Sequence, residues 1–312
     1  MKIGITGASG MLGTALIDRL YLEHKIYATS RKIGIKKARV RWDCFDLLDV
    51  KALHSWLEVN DLDIVIHCAA IVNINQCEKT PDVAKDLHYK TTKIIAECLQ
   101  KNGGRLIYIS TDHLFDGKKS GLYTEKDRVN PLNIYAQTKL EGEKSVLSIK
   151  DSLILRTSII GWSRGEKLSF AEWIVKGLVE KTRLNLFDDV FFSPLHVSDL
   201  SDIVSELIKK QVIGLYNATS SNSLSKYDFG LITANIFGLK SNNIVKSTIQ
   251  EKKITVDRPL NMGLSSRKLS SIINKKIPTP KDSVRLLKQQ YDNGWLSSIK
   301  GRPLQKDYHF WE

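Results

Sequence analysis

A glycine-rich loop stands directly behind the first β-type run of the chain, in the segment ITGASGMLG. Its glycines, Gly7, Gly10 and Gly13, recur every third residue, and apolar residues at helical spacing begin immediately after them. A dinucleotide site needs such a loop for a tight turn, for close approach of the backbone to a pyrophosphate, and for close helix–strand contact. The loop therefore predicts a strand–helix unit whose helix N-terminus receives a dinucleotide. The alternative is a turn that serves packing alone.

Short β-type runs alternate with helical runs through the first 160 residues. Residues 2–6, 25–30 and 105–111 read as strands, and residues 81–103 read as one long helix. Alternation of this kind is typical of βαβ units, for which a parallel sheet covered by helices on both faces is the usual solution. The sequence therefore predicts an α/β fold with a doubly wound parallel sheet of the Rossmann type.

The pattern loosens after about residue 160, where helix-like runs predominate. This change predicts a dinucleotide-binding domain at 1–160, with returning elements from about 188–220. It also predicts a smaller, mostly helical substrate-binding lobe made from 161–187 and 221–312.

The bulk composition narrows the function classes. The 312 residues are 42% hydrophobic, yet no apolar run approaches the roughly 18 residues that span a bilayer. The net charge is 47 − 34 = +13, but Lys and Arg are dispersed, so we expect no nucleic-acid partner and favour a phosphorylated small molecule. We expect a cytoplasmic protein without membrane contact, whose sheet-flanking helices could form a homodimer face. The four cysteines form no C-x-x-C pair, and no metal site is expected.

The end of the second predicted strand bears on cofactor choice. NAD-specific sites usually carry an acidic residue there, to hold the ribose 2′-hydroxyl. This chain has Ser30, Arg31 and Lys32 instead, which could bind a 2′-phosphate. We therefore predict NADPH, with NADH as the alternative cofactor if Arg31 and Lys32 simply face solvent.

A tyrosine and a lysine lie one helical turn apart in the segment IYAQTK. Tyr135 and Lys139 share a helix face at this spacing, and a cation can stabilise an ionised phenol. The strand before this helix ends in Ser110, Thr111 and Asp112, which fall at the carboxyl edge where open α/β sheets bind ligands. The two features together indicate proton-transfer chemistry.

Seven segments give the chain a family resemblance, which extends through about Leu269. They are TGASGMLG, HCAAIVNINQCEKTPDVA, STDHLFDG, NPLNIYAQTKLEGE, ILRTSIIG, SPLHVSDL and DRPLNMGLSSRKL. On these segments the chain resembles the extended short-chain dehydrogenase/reductases, and within them the dTDP-4-dehydrorhamnose reductase family of sugar-nucleotide reductases. The resemblance implies an NADPH-dependent reductase of a nucleotide-activated 4-keto-6-deoxy sugar, in polysaccharide or glycan precursor synthesis. It implies that Thr111 hydrogen-bonds the substrate carbonyl, that Tyr135 protonates the alkoxide, and that Lys139 lowers the tyrosine pKa and holds the nicotinamide ribose.

The predicted contacts follow from the loop, the strand ends and the resemblance together. Those to the cofactor are Gly7, Ser9, Gly10, Met11, Leu12, Gly13, Ser30, Arg31, Asp46, Leu47, Cys68, Ala69, Ala70, Tyr135 and Lys139. Those to the substrate are His113, Trp162, Arg164 and Arg258. Trp162 could stack on a sugar or base, or else pack at a lobe junction. Arg164 and Arg258 suit phosphate contact.

Departures from the family pattern keep two other functions open. His113 follows Thr111 and Asp112 where the related 4,6-dehydratases carry a glutamate, so the acid for eliminating water is missing and reduction is favoured. His88 replaces an asparagine common in that helix segment. This replacement leaves open a non-catalytic, dinucleotide-binding regulatory subunit. A nucleotide-sugar epimerase with tightly held NAD is the other alternative.

Overall fold

The computed structural model describes residues 1–165, 167–251 and 255–300, so the last twelve residues of the predicted lobe lie outside the described residues. In chain order the strands are β1 (Lys2–Thr6), β2 (Lys25–Ser30), β3 (Val40–Cys44), β4 (Ile64–His67), β5 (Arg105–Thr111), β6 (Leu153–Thr157), β7 (Ile159–Ile160), β8 (Leu184–Phe187), β9 (Phe191–Phe192), β10 (Leu195–His196), β11 (Gly214–Ala218), β12 (Leu224–Ser225), β13 (Ile244–Ser247) and β14 (Asn261–Met262).

Helices occupy most of the connections between these strands. They are α1 (Met11–Leu20), α2 (Val50–Asn60), α3 (Ile74–Lys79), α4 (Pro81–Lys85), α5 (Thr91–Asn102), α6 (Ile134–Leu147), α7 (Phe170–Val179), α8 (Val197–Lys209), α9 (Lys226–Phe237), α10 (Arg267–Ile273), α11 (Pro280–Asp292) and α12 (Trp295–Lys300). A π-helical turn, Asp86–Lys90, joins α4 to α5, and a 3₁₀ turn, Asp112–Leu114, follows β5.

Seven parallel strands form the main sheet, in the order β11-β6-β5-β4-β1-β2-β3. β1 pairs with β2 on one side, with Ile3 opposite Ile26, and with β4 on the other, with Ile3 opposite Ile64. The chain therefore winds outward in both directions from β1, and the point of reversal between β1 and β4 is where such sheets bind ligands. The predicted doubly wound parallel sheet is confirmed.

Apolar residues cover both faces of the sheet. One cluster packs α1, α8 and α10 against one face, and another packs α2, α5 and the end of α6 against the other. A further cluster lies away from the sheet and joins α7, α9, α11 and α12 with β8 and β9. β11 belongs to the main sheet and falls in the segment predicted to return to it. Among the described helices, none is long and apolar enough to cross a bilayer.

The segment predicted as one helix over residues 81–103 is helical throughout but not uniform. It runs through α4, the π-helical turn and α5, and it ends at Gly103 in the left-handed conformation. A π-helical turn inserts one extra residue into a helix and is found frequently at functional sites. Here it carries His88 inward, where the side chain is fully buried.

Candidate active site

The backbone of the glycine loop lies close to the backbone of the segment that follows β4. Gly7 has a φ of 62°, and the Gly10 amide donates to the Gly7 carbonyl at 2.9 Å. A Cβ at Gly7 would lie 2.8 Å from the Ala69 nitrogen, and one at Gly13 would lie 2.6 Å from the Ala8 Cα. Gly10 caps α1 without a side-chain hydrogen bond, and the first turn has no acidic residue. The first N–H groups of α1 are therefore available to an anion, as a pyrophosphate requires.

Most of the other predicted cofactor residues share this edge of the sheet. Ser30 ends β2, Asp46–Leu47 follow β3 and Cys68–Ala70 follow β4; these strands run parallel. The Ser30 hydroxyl donates to the Lys32 carbonyl, while Arg31 is exposed. Contact of these residues with a cofactor stays a prediction. The rest of the set lies in the glycine loop and the first turn of α1, at Ser9, Met11 and Leu12.

The three predicted catalytic side chains come together at the carboxyl end of β5. Thr111 is the last residue of β5; its hydroxyl donates to the Asp112 carboxylate at 3.3 Å and accepts from the His113 amide at 3.2 Å. The Thr111 side chain is near enough to the Tyr135 phenol to lower that phenol's pKa. Lys139 lies one turn further along α6, and its Nζ donates to the Ile109 carbonyl at 2.7 Å. All three side chains are buried. Together they form a small, nearly dry polar cluster beside the β1–β4 reversal.

Several contacts fix the position of α6. The Asn133 side chain caps the helix by accepting from the Ala136 amide at 3.0 Å, and the Ile134 amide donates to the Glu78 carboxylate of α3 at 2.8 Å. Deeper in the core, Arg156 of β6 holds Glu143 of α6 in a buried two-bond ion pair, at 3.0 and 2.7 Å. The helix is thus tied to the sheet and to α3 on both sides of the catalytic turn.

Burial sets the protonation of the Tyr135–Lys139 pair. It raises the pKa of Tyr135, and the nearby Thr111 side chain offsets only part of that shift. It lowers the pKa of Lys139 to about 7, against the opposing influence of Glu143 and Cys68. The Lys139 Nζ lies 4.0 Å from the centre of the Tyr108 ring, turned towards the sheet. Burial therefore favours the neutral phenol, and the lowering of the tyrosine pKa by Lys139 stays a prediction.

The depressed pKa of Lys139 predicts that the folded state gains stability over the unfolded state as the pH rises. Between about pH 7 and pH 10.5 the unfolded chain keeps this proton and the folded chain has released it, so the free energy of unfolding rises with pH. The slope from one such group is at most about 1.4 kcal/mol per pH unit. Lys139→Met removes the group, so chemical denaturation at several pH values should show wild type gaining stability on the variant as pH rises. Parallel profiles would contradict the assignment.

A cavity of about 340 Å³ adjoins this cluster. The His113 ring borders it and also meets the Tyr135 ring edge-on, with ring centres 5.7 Å apart. Two cations also line it: Lys226, the first residue of α9, and Arg258. Arg258 donates to the Asn75 side chain at 3.3 Å, but its buried Nε has no hydrogen-bond partner in the described structure. His113 therefore contacts both the Tyr135 ring and a cavity with a cationic wall, formed by Lys226 and Arg258.

Among the described residues, no carboxylate pairs directly with Lys226 or Arg258, the two residues of the cationic wall. Burial lowers the pKa of both Lys226 and Arg258, and their mutual repulsion lowers that of Lys226 further, while Asp112 opposes the shift. Within the described residues neither cation has a carboxylate within 4.0 Å. Lys226 also begins a helix, where the dipole disfavours a cation. These groups favour an anionic ligand in the cavity. No described group of three or more His, Cys, Asp or Glu side chains could hold a metal ion.

Lys226 was not predicted as a site residue, because a single lysine in a mixed polar segment has no pattern that marks it as a ligand contact. The only hint is its place directly after Ser225, which caps α9 by accepting from the Asp228 amide at 3.0 Å. Its ammonium lies 5.0 Å from the centre of the Phe170 ring, a contact contributed by the lobe. That neighbour comes from a segment remote in the chain and could not be read from local pattern.

Two predicted substrate residues make packing contacts away from the cavity. Trp162 is 1% exposed, and its indole N–H donates to the Leu287 carbonyl at 2.9 Å, so it packs inside the lobe as the alternative interpretation expected. Arg164 donates to two backbone carbonyls, Ile299 at 3.1 Å and Ile33 at 2.9 Å. Neither side chain lines the cavity. Trp162 therefore packs within the protein, while contact of Arg164 with the substrate stays a prediction.

Comparison with known proteins gives one family match and a consistent set of relatives. The family model described as the RmlD substrate binding domain matches residues 1–293. The probable low-salt glycan biosynthesis reductase Agl14 of Haloferax volcanii is 26% identical, over 93% of this chain and 98% of its own. The methionine adenosyltransferase 2 subunit beta of Rattus norvegicus is 30% identical, over 89% of this chain and 84% of its own. The crystal structure of dTDP-4-dehydrorhamnose reductase from Bacillus anthracis in complex with NADP superimposes with a TM-score of 0.83 at 24% identity, covering 93% and 99% of the two chains.

Proposed function

We propose that this chain, which belongs to the RmlD substrate binding domain family, is an NADPH-dependent reductase of a nucleotide-activated 4-keto-6-deoxy sugar. It would act in the synthesis of glycan or polysaccharide precursors, as the name of the Haloferax volcanii relative suggests. One observation carries the proposal: His113, whose ring contacts the ring of the buried Tyr135, also lines a cavity bordered by the cations Lys226 and Arg258. That arrangement suits a ligand with a carbonyl at one end and a diphosphate at the other.

The chain's own residues fit the cofactor. The close approach at Gly7 and Gly13 leaves room for backbone alone, and the uncapped first turn of α1 offers its N–H groups to a pyrophosphate. Arg31 is exposed at the end of β2, where a 2′-phosphate would meet it. Ala69 and Ala70 would border the nicotinamide half, beside Lys139. When bound, NADPH supplies the hydride that reduces the carbonyl carbon.

Tyr135 serves as the acid in this reaction. Burial keeps its proton on the phenol, so the proton remains available until negative charge develops on the substrate oxygen. The Thr111 hydroxyl, near that phenol at the end of β5, could turn from Asp112 and donate to the same oxygen. Lys139 has a pKa of about 7, and an anionic ligand nearby would favour its charged form. The three groups therefore stabilise a forming alkoxide and then protonate it.

The cationic wall of the cavity receives the diphosphate. Lys226 and Arg258 line it together with Asn73 and Asn75, and Arg258 donates to the Asn75 side chain. Guanidinium and ammonium groups in a partly dry site bind phosphate oxygens strongly. His113 lies between this wall and Tyr135, where it would contact the sugar.

Removing either cation is expected to weaken substrate binding while sparing the chemical step. For Lys226→Met and Arg258→Ala, we expect KM for the nucleotide sugar to rise ~10–100-fold, the loss of one hydrogen bond to a charged group. The kcat should stay within about threefold, because these groups do not touch the reacting carbonyl. Steady-state kinetics measures both parameters, with Lys240→Met, an exposed lysine just beyond α9, as the matched control. An unchanged KM in both variants would remove them from the binding site.

The function itself is tested by following NADPH oxidation with a panel of 4-keto-6-deoxy sugars on dTDP, UDP and GDP. We expect turnover with at least one member, and a lower apparent KM for NADPH than for NADH. Absence of turnover across the panel would overturn the proposal, and a clear preference for NADH would overturn the role of Arg31. Cofactor that survives purification as NAD would instead favour an epimerase.

A second candidate function has one specific observation in its favour. The methionine adenosyltransferase 2 subunit beta of Rattus norvegicus is as similar to this chain as a reductase relative is, at 30% identity. A subunit role would need no acid, yet Thr111, Tyr135 and Lys139 are all present and buried together. Mixing the chain with the methionine adenosyltransferase of its own organism and measuring co-elution discriminates the two. A stable complex, with no turnover of keto sugars, would favour the subunit.

A further inference from the structure

His88 bridges two parts of the site through its imidazole. The side chain is fully buried at the π-helical turn, beneath the catalytic turn of α6. The Ile71 amide, in the loop after β4, donates to Nε2 at 2.9 Å. On its other side Nδ1 lies 2.9 Å from the Thr138 hydroxyl, between the two predicted catalytic residues of α6. One ring therefore spans the cofactor-side loop and the catalytic helix.

The partners of the ring fix its tautomer. A backbone N–H can only donate, so Nε2 must accept from Ile71 and the ring proton must reside on Nδ1. That proton is donated to Thr138, whose own hydroxyl proton goes to the Ile134 carbonyl at 2.8 Å or the Tyr135 carbonyl at 3.1 Å. Burial lowers the pKa of His88 to about 2, which keeps the ring neutral and this direction intact. Each donor in this series of hydrogen bonds, from the Ile71 amide to the Thr138 hydroxyl, therefore has an acceptor.

The turn that carries His88 is itself held in place. The His88 carbonyl accepts from the Thr92 hydroxyl at 2.7 Å and from the Tyr108 phenol of β5 at 3.3 Å. The ring also stands edge-on to the Tyr135 ring, with centres 5.7 Å apart and planes at 83°. Backbone, ring edge and both nitrogens are therefore all engaged, more than space filling alone requires.

We propose that His88 is a positioning residue that sets the distance between the Cys68–Ile71 loop and the turn of α6 bearing Tyr135 and Lys139. The inference rests on the proposed reductase function. A leucine would fill most of the volume but leave the Ile71 amide without an acceptor and the Thr138 hydroxyl without its donor. The loop and the helix could then shift relative to each other, and a misplacement of about 1 Å can cost ~10²-fold in rate.

A double-mutant cycle between His88 and Thr138 tests the mechanism. We expect His88→Leu and Thr138→Val each to lower kcat, by ~10-fold or more for His88→Leu, with KM for the nucleotide sugar within about threefold. Because both act through one contact, the double variant should be no slower than His88→Leu. His88→Gln, whose amide can accept from Ile71 and donate to Thr138, should recover part of the loss. His54→Leu, on α2, is the matched control.

Two kinetic results would overturn the proposal: a kcat for His88→Leu equal to wild type, or losses that simply multiply in the double variant. A second readout is independent of turnover. Nitrogen-15 NMR of histidine-labelled wild type should show His88 as the neutral Nδ1–H tautomer, unchanged from pH 5 to pH 9. An Nε2–H tautomer or an imidazolium would contradict the bridge, even for a chain that reduces no keto sugar or whose variants fail to fold. Failure of the reductase assay alone would count against the proposed function and leave this tautomer test decisive.

Discussion

Tyr135→Phe is expected to lower kcat by ~10²-fold or more, the usual contribution of a positioned acid. The variant keeps the ring that packs against His88 and His113, and it removes only the phenol hydroxyl. Binding of NADPH and of the nucleotide sugar should therefore change little, and the loss should appear in kcat rather than KM. Pre-steady-state measurement of NADPH oxidation separates the chemical step from product release.

The matched control is Tyr27→Phe, which removes a phenol hydroxyl on β2 at the edge of a core cluster. It should leave turnover unchanged. Circular dichroism and the thermal midpoint of both variants establish that folding is intact. Turnover of Tyr135→Phe close to wild type would show that another group delivers the proton, and the acid assignment would be wrong.

Gly7→Ala is expected to combine a large loss of stability with a large loss of cofactor affinity. The residue has a φ of 62°, where a side chain costs roughly 1–2 kcal/mol. Its new Cβ would also lie 2.8 Å from the Ala69 nitrogen, a backbone contact that can be relieved only by moving the loop, at about 1–3 kcal/mol. Moving the loop displaces the N–H groups of α1 from the pyrophosphate. We expect the NADPH dissociation constant to rise ~10-fold or more, measured by fluorescence titration.

Gly103→Ala separates the backbone strain at positive φ from the collision of the new Cβ with neighbouring backbone. Gly103 has a φ of 74°, yet a Cβ there would meet nothing within 4 Å. This control therefore carries the backbone strain without the collision, and it should lose stability modestly while binding NADPH normally. If Gly7→Ala binds NADPH as tightly as Gly103→Ala does, the loop does not hold the pyrophosphate.

The sheet could be predicted closely because its signals are local. β1, β2 and β5 begin and end at the predicted residues, since buried parallel strands are short apolar runs bounded by glycine or polar residues. α3 was missed, because six residues with only two buried positions show no helical period. The family resemblance to dTDP-4-dehydrorhamnose reductases is confirmed by the family match over residues 1–293.

The features of the site that the sequence does not show depend on long-range contacts. Trp162 reads locally as a stacking residue, but α11, more than a hundred residues away, encloses it. The spacing of Tyr135 and Lys139 is visible in the sequence, whereas the turning of the lysine towards Ile109 is not. Burial of the phenol raises the pKa of Tyr135, an effect that the local sequence does not show. Lys226 and Arg258 are 32 residues apart in the chain, and that they line one cavity is visible only in the structure.

Isotope transfer tests the central claim most directly. NADPH deuterated at the reactive position of its nicotinamide is incubated with the chain and the keto nucleotide sugar that it turns over best, and the sugar product is examined by NMR and mass spectrometry. The account predicts one deuterium on the new carbinol carbon, with the hydroxyl proton drawn from solvent through Tyr135. A product without deuterium at that carbon, or a sugar returned unreduced with solvent deuterium exchanged into its ring, would contradict it.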